Sequence, residues 1–239
     1  MKSLTQHLAE AATLTLQYHN ELNRKLWKNG QLRPEVAKKL LMIASTWSGF
    51  AKIPPKAVKD VIVVGGNANY NYTDYSDIDL HVVVDTKKIP ECKGLLDEYL
   101  RGKKQLWGLL HDITIYGHDV ELYAQDHTTP YTKGQGVYSV QRNKWLVKPK
   151  QEQVNFKDPG LQQKVDQYIE KIQTLIDSTA DEQAFEDLKK KFTQMRKSGL
   201  QRGGEYSLEN LVFKELRNLG YLDKVDQYLR SRQDKRLSL

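Results

Sequence analysis

Asp77 and Asp79 are the two side chains whose type and spacing point most directly to chemistry in this 239-residue chain. They lie in the segment VIVVGGNANYNYTDYSDIDLHVVVD, residues 61–85. Successive side chains of an extended strand alternate between faces, so positions i and i+2 share one. Two carboxylates side by side repel and disfavour each other's ionised form unless a cation lies between them. The pair therefore reads as a divalent-metal site. The apolar run Val61 to Val64 ends at Gly65-Gly66, and Asp77 to Val84 alternates before closing on Val82-Val83-Val84; both read as strands. Glycine lets a backbone come close to a ligand, so the N–H groups after Gly65-Gly66 can cradle phosphate. Asp74, in the connecting loop, reads as an ordinary turn residue.

In this order the residues resemble the signature of the DNA polymerase β-like nucleotidyltransferase superfamily. Gly65-Gly66 stands where that family has Gly-Ser, Ala68 matches its common alanine, and Ser76-Asp77-Ile78-Asp79-Leu80 matches its strand entry. The runs Gly-Gly-Asn-Ala-Asn-Tyr-Asn-Tyr (65–72) and Ser-Asp-Ile-Asp-Leu-His (76–81) are similar to a group of predicted nucleotidyltransferases of tailed bacteriophages, a likeness that extends to the Gly136 to Trp145 region. Two positions depart from the family: Gly66 replaces the serine, and Tyr70 replaces a second glycine. The resemblance implies a transferase that moves a nucleoside monophosphate from a nucleoside triphosphate such as ATP to a hydroxyl acceptor. It also implies two Mg2+ ions, replaceable by Mn2+, held by Asp77, Asp79 and a third carboxylate from a neighbouring strand.

Glu121 is the candidate third ligand, within Asp119-Val120-Glu121-Leu122-Tyr123. Asp119 shares its face by the two-residue period, so both stay open; Glu121 is preferred because it lies deeper in the strand, whereas Asp119 can cap the turn. With the serine missing, triphosphate binding falls to Gly65, Gly66, Asn67 and Ser76, and to Arg142 and Lys144 as cations. His81 continues the face of Asp77 and Asp79 and reads as a strand histidine satisfied by its neighbours. Tyr70, Tyr72 and Tyr75 read as loop packing. The pairs His111-Asp112 and His118-Asp119 lack the helical context and distant ligands of a metal phosphohydrolase.

The chain carries a net charge of +7 and 39% hydrophobic residues, ordinary for a globular protein with an anionic partner. The excess is uneven: Lys133, Arg142, Lys144, Lys148 and Lys150 fall between His127 and Gln151 with no Asp or Glu among them. This segment, just past the candidate strands, motivates RNA as acceptor, with a tRNA end as one form. A lone Cys92 excludes an internal disulfide, and no Cys/His cluster has zinc spacing. The sequence has no apolar run of membrane-spanning length and no secretory leader, so a cytoplasmic protein is expected, in the host cytoplasm for a phage-encoded one. Competing readings are protein nucleotidylation, an alarmone-type pyrophosphokinase, and a non-catalytic nucleic-acid-binding or virion-associated protein.

The expected fold class is α+β, a small mixed β-sheet core with helices before and after it. Residues 1–55 are expected as an N-terminal helical segment, with helices at Leu4 to Leu22 and from Pro34. Residues 56–152 are expected as the nucleotidyltransferase core. There the segment that follows the signature reads as a helix over 90–110 covering the sheet, with Leu95, Leu96, Tyr99, Leu106 and Leu110 inward. Hairpins are expected around Gly117-His118 and Arg142-Asn143. Residues 153–239 are expected as a C-terminal helical domain, with Asp158 capping a helix that starts at Pro159, Ser207 capping another, and a last helix over 223–231.

Overall fold

The computed structural model describes residues 14–90, 94–151, 154, 156 and 158–239. It has α+β architecture, with a six-stranded mixed sheet and six α-helices among these residues. None of these helices is long and apolar enough to cross a membrane. Contacts divide the described chain into two units, one of residues 18–151 and the other of residues 14–17 with 154–239.

In the first unit the sheet strands are β3 (Val58–Val64), β4 (Ile78–Val84), β5 (Thr114–Ile115), β6 (His118–Asp126), β7 (Val137–Ser139) and β8 (Lys144–Val147); a separate small hairpin precedes them, β1 (Trp27–Lys28) and β2 (Gln31–Leu32). The sheet order is β5-β6-β4-β3-β7-β8, with only β4 and β6 parallel. Helix α1 (Pro34–Phe50) opens with proline at its first position, where a missing N–H costs nothing. It presents Val36, Leu40, Ile43, Ala44 and Trp47 to one sheet face, where they join Val61, Val63, Leu80, Val82, Val84 and Leu122 in a single core. Every second residue of β3 and β4 is thus committed to the helices. The alternate positions form the opposite face, where Ile62, Val64, Val83 and Val137 make a small apolar cluster beside Asp79, His81 and Glu121.

Several expectations need correction. Residues 14–22 of the expected first helix have no helical structure, and its earlier part lies outside the described residues. Residues 18–55 are not a segment of their own, because Leu26, Trp27, Leu32 and the buried face of α1 share the core of the sheet. Helix α2 spans Leu96–Leu110 and buries Leu100 and Trp107, while Leu95, Leu106 and Leu110 are exposed. Trp107, packed edge-on to Phe50 of α1 at 5.3 Å, fixes this rotation. Residues 91–93 of the expected helix, with Cys92, lie outside the described residues. The β5–β6 turn falls at Tyr116-Gly117, both with positive φ, as a two-residue hairpin turn of the favoured hand requires.

The second unit carries α3 (Pro159–Asp177), α4 (Glu182–Gly203), α5 (Leu208–Asn218) and α6 (Tyr221–Leu237). Asp158 caps α3 as expected, accepting a hydrogen bond from the N–H of Gly160. Val165, Ile172, Phe185, Leu188, Phe192, Val212 and Leu216 form its core. Helix α6 runs past the expected 231 because Arg232 donates to the Ala180 carbonyl and Arg236 pairs with Glu182, each giving its last turns a partner. Buried Glu215 accepts from the N–H groups of Thr15 and Leu16 and from the Thr15 hydroxyl. Burial pushes the Glu215 carboxyl above its ordinary value, and those donors act against the shift.

Candidate active site

Strands β4 and β6 run parallel in a register that sets Asp79 beside Glu121, His81 beside Tyr123 and Val83 beside Gln125. On its other side Asp79 pairs with Val64, the last residue of β3. The Asp79 carboxylate thus stands where β3 turns into Gly65-Gly66. A Cβ placed on Gly65 would lie 1.7 Å from Asp79 Oδ2. Gly65 has φ 75° and ψ −159°, a conformation essentially reserved for glycine. Two independent reasons therefore require glycine here, the backbone angle and the side chain pressed against it.

Asp77 lies just before β4 and is fixed through its backbone. A single 3-10 turn, Gly66–Ala68, buries Asn67 completely, and its amide nitrogen donates to the carbonyls of Ser76 (2.9 Å) and Asp77 (3.0 Å). The Asn67 amide oxygen accepts from Asn23 Nδ2 at 2.9 Å, and the Asn67 carbonyl accepts from Trp27 Nε1 at 2.7 Å. Buried His118 completes the arrangement, Nδ1 facing the Ser76 carbonyl at 2.7 Å and Nε2 facing Asn23 Nδ2 at 2.9 Å. One tautomer satisfies all of these contacts: Nδ1–H donates to Ser76, and Nε2 accepts from Asn23. Asn67 therefore fixes the backbone at Ser76 and Asp77, with its buried side chain spent inside the protein and not open to a nucleotide. Ser76 Oγ accepts from the N–H of Thr73 at 2.9 Å and would sit 3.1 Å from a Cβ at Gly66.

Glu121 faces the same side as Asp79 and meets Tyr123, two residues on along β6, and Lys104, which its sequence neighbourhood did not disclose. Lys104 Nζ of α2 lies 3.1 Å from Glu121 Oε2 and 3.4 Å from the centre of the Tyr123 ring. The Tyr123 hydroxyl donates to the same carboxylate oxygen at 2.7 Å. The Lys104 and Glu121 side chains are 28% and 41% exposed, so water screens the pair. Asp119, one strand period away, is exposed next to the turn. His81 Nδ1 lies 2.6 Å from Gln125 Oε1. Burial holds the His81 imidazole below its ordinary pKa, with Lys104 nearby acting in the same direction.

Arg142 and Lys144 are not brought to this place. The Arg142 guanidinium pairs with buried Asp60 at 3.4 Å, and Asp60 also accepts from the Ser139 hydroxyl. Asp60 lies five residues before Gly65, about 16 Å along the strand from that turn. Lys144 is on β8, three strands from β4 and hence about 14 Å across the sheet. The basic stretch that holds both residues does not register Asp60, the buried carboxylate that takes Arg142.

Asp77, Asp79 and Glu121 offer hard carboxylate oxygens, the donor type that Mg2+ prefers. Among the described residues, no three His, Cys, Asp or Glu side chains converge closely enough to hold a metal ion. Glu121 Oε2 turns instead to Lys104 and Tyr123. Comparison with family models, curated proteins and solved structures returned no match.

Proposed function

We propose that the chain is a nucleotidyltransferase that moves a nucleoside monophosphate from a nucleoside triphosphate to a hydroxyl group, with RNA as acceptor and Mg2+ as cofactor. The observation that carries this reading is the register that sets Asp79 beside Glu121, at the point where β3 delivers the Gly65 backbone against the Asp79 carboxylate. Adjacent acids on one face, beside a glycine that lets the backbone approach closely, support a site for a cation and a phosphate.

In the reaction, the acceptor oxygen forms a bond to the α-phosphorus, the bond from α-phosphorus to the bridging oxygen breaks, pyrophosphate leaves, and the hydroxyl proton passes to solvent. Asp77, Asp79 and Glu121 would hold Mg2+, which would supply acidification of the attacking hydroxyl and neutralisation of the triphosphate. Gly65 leaves room for the Asp79 carboxylate and brings backbone N–H groups to the phosphates. Asn67 and His118 hold Ser76 and Asp77 through their carbonyls, so the second aspartate needs no reordering when substrate arrives. Lys104, released from Glu121, is a cation at the same edge.

Incubation with each α-labelled triphosphate, Mg2+ and total RNA tests the reading. Label should enter RNA and should vanish with Asp77→Asn or Asp79→Asn. Transfer of only β,γ-label would indicate a pyrophosphokinase instead, and label in protein would indicate protein nucleotidylation. The ion pair between Lys104 and Glu121 favours one other reading, a non-catalytic nucleic-acid-binding protein. Absence of transfer from all four triphosphates would support that one.

A further inference from the structure

We propose that a cavity beside β8, remote from Asp79, binds a single-stranded nucleic acid, with Lys144 and Lys148 contacting its phosphates. The cavity measures about 500 Å3 and is lined by Lys144, Lys148, Trp145, Tyr70 and Asn143 among others. Its ligand class follows from this lining. Two ammonium groups, four residues apart in a stretch without Asp or Glu, attract a polyanion. The aromatic side chains beside them suit the bases of an unpaired strand, because every base has a face that can stack.

The cavity wall is built rather than incidental. Trp145 stacks on Trp27 with ring centres 4.8 Å apart, and its Nε1 donates to the Gly30 carbonyl at 2.7 Å. The Tyr138 hydroxyl donates to Asn143 Oδ1 at 2.6 Å, fixing the turn that presents Lys144. Strand β8 is the free edge of the sheet, so a chain lying along it meets no further strand. Arg142, the neighbouring cation, is committed to Asp60, which leaves Lys144 and Lys148 as the local phosphate contacts.

The same wall connects to the candidate active site. Trp27, stacked on Trp145, donates to the Asn67 carbonyl, and Asn67 holds Ser76 and Asp77. Tyr70 lies four residues after Gly66. The choice of RNA as the strand rests on the function proposed above; binding itself does not.

The test is fluorescence anisotropy with a labelled 12-nucleotide oligouridylate, titrated at several salt concentrations. Lys144→Gln with Lys148→Gln should weaken binding about tenfold and reduce the log-log salt slope by about 1.4, two contacts at 0.7 each for a single strand. Lys38→Gln with Lys39→Gln removes the same charge from exposed positions of α1 and should change affinity less than twofold. Lys144→Arg with Lys148→Arg should retain binding, which separates lost charge from lost folding. Wild-type affinity in the double Gln variant, or an equal loss in the α1 variant, overturns the proposal. So does tripolyphosphate binding that depends on Lys144 and Lys148 while oligouridylate binding does not. Asp79→Asn should abolish transfer and leave oligouridylate binding intact, so failure of the catalytic reading and failure of this one are seen separately.

Discussion

Replacing Gly65 by alanine should disable the site by moving one carboxylate. The new Cβ would lie 1.7 Å from Asp79 Oδ2, and real Cβ atoms essentially never approach other atoms within 3.0 Å. The carboxylate must therefore retreat by about 1.3 Å. A misplacement of about 1 Å at a reacting centre costs roughly a hundredfold in rate, or about 2.7 kcal/mol of barrier. The backbone angles of Gly65 add a separate strain of about 1–3 kcal/mol, which lowers stability rather than activity. Gly220→Ala separates the two effects. Gly220 has φ 77° and open space where its Cβ would go, so alanine there meets strain without a clash. Urea unfolding should register a loss in both variants, whereas transfer of α-label by folded protein should fall about a hundredfold in Gly65→Ala alone. Transfer within threefold of wild type in Gly65→Ala would refute the placement of Asp79 at the reacting centre.

Other outcomes follow from the same geometry. Asn67→Ala removes donors to two carbonyls and one of the two acceptors of the Asn23 amide, and should cost about 2–4 kcal/mol in urea unfolding at roughly 1 kcal/mol per bond. Lys104→Met breaks a partly exposed ion pair and should shift stability by less than about 1 kcal/mol, while lowering the Mg2+ concentration for half-maximal transfer, because Glu121 loses its competing cation. Asp126 gives a pH signature. Hydrogen bonds from the Thr128 hydroxyl, then the Thr86 hydroxyl, hold its carboxyl well below the usual carboxylate range. Its stabilisation is complete above the unfolded-state pKa of about 4 and is lost as pH falls from there through the depressed folded value. Asp126→Asn should accordingly flatten the fall of the urea midpoint below pH 4.

The aspartate strand, the glycine turn and the carboxylate strand were legible because each depends on local spacing. A two-residue period puts Asp77 with Asp79 and Asp119 with Glu121, and the pairing of β4 with β6 then sets Asp79 beside Glu121. The helix starts at Pro34 and Pro159 were legible for the same reason, since cap and proline signals act within one turn. Lys104 was not legible: its contact with Glu121 depends on how α2 rotates, and Trp107 packing against Phe50 sets that rotation. Nor was the network of Asn23, Asn67 and His118, whose members come from a turn, a 3-10 turn and a strand. Such polar residues have no periodicity, and only the folded chain brings their donors to the Ser76 and Asp77 carbonyls. Arg142 misled because charge density along a sequence cannot register Asp60, a buried partner from another strand.

Mn2+ binding measured by electron paramagnetic resonance, with a non-hydrolysable triphosphate present, tests the central claim that these carboxylates form one metal site. Wild type should bind Mn2+, and Asp79→Asn and Glu121→Gln should each weaken that binding at least tenfold without loss of fold. Equal Mn2+ binding by wild type and both variants would contradict the claim.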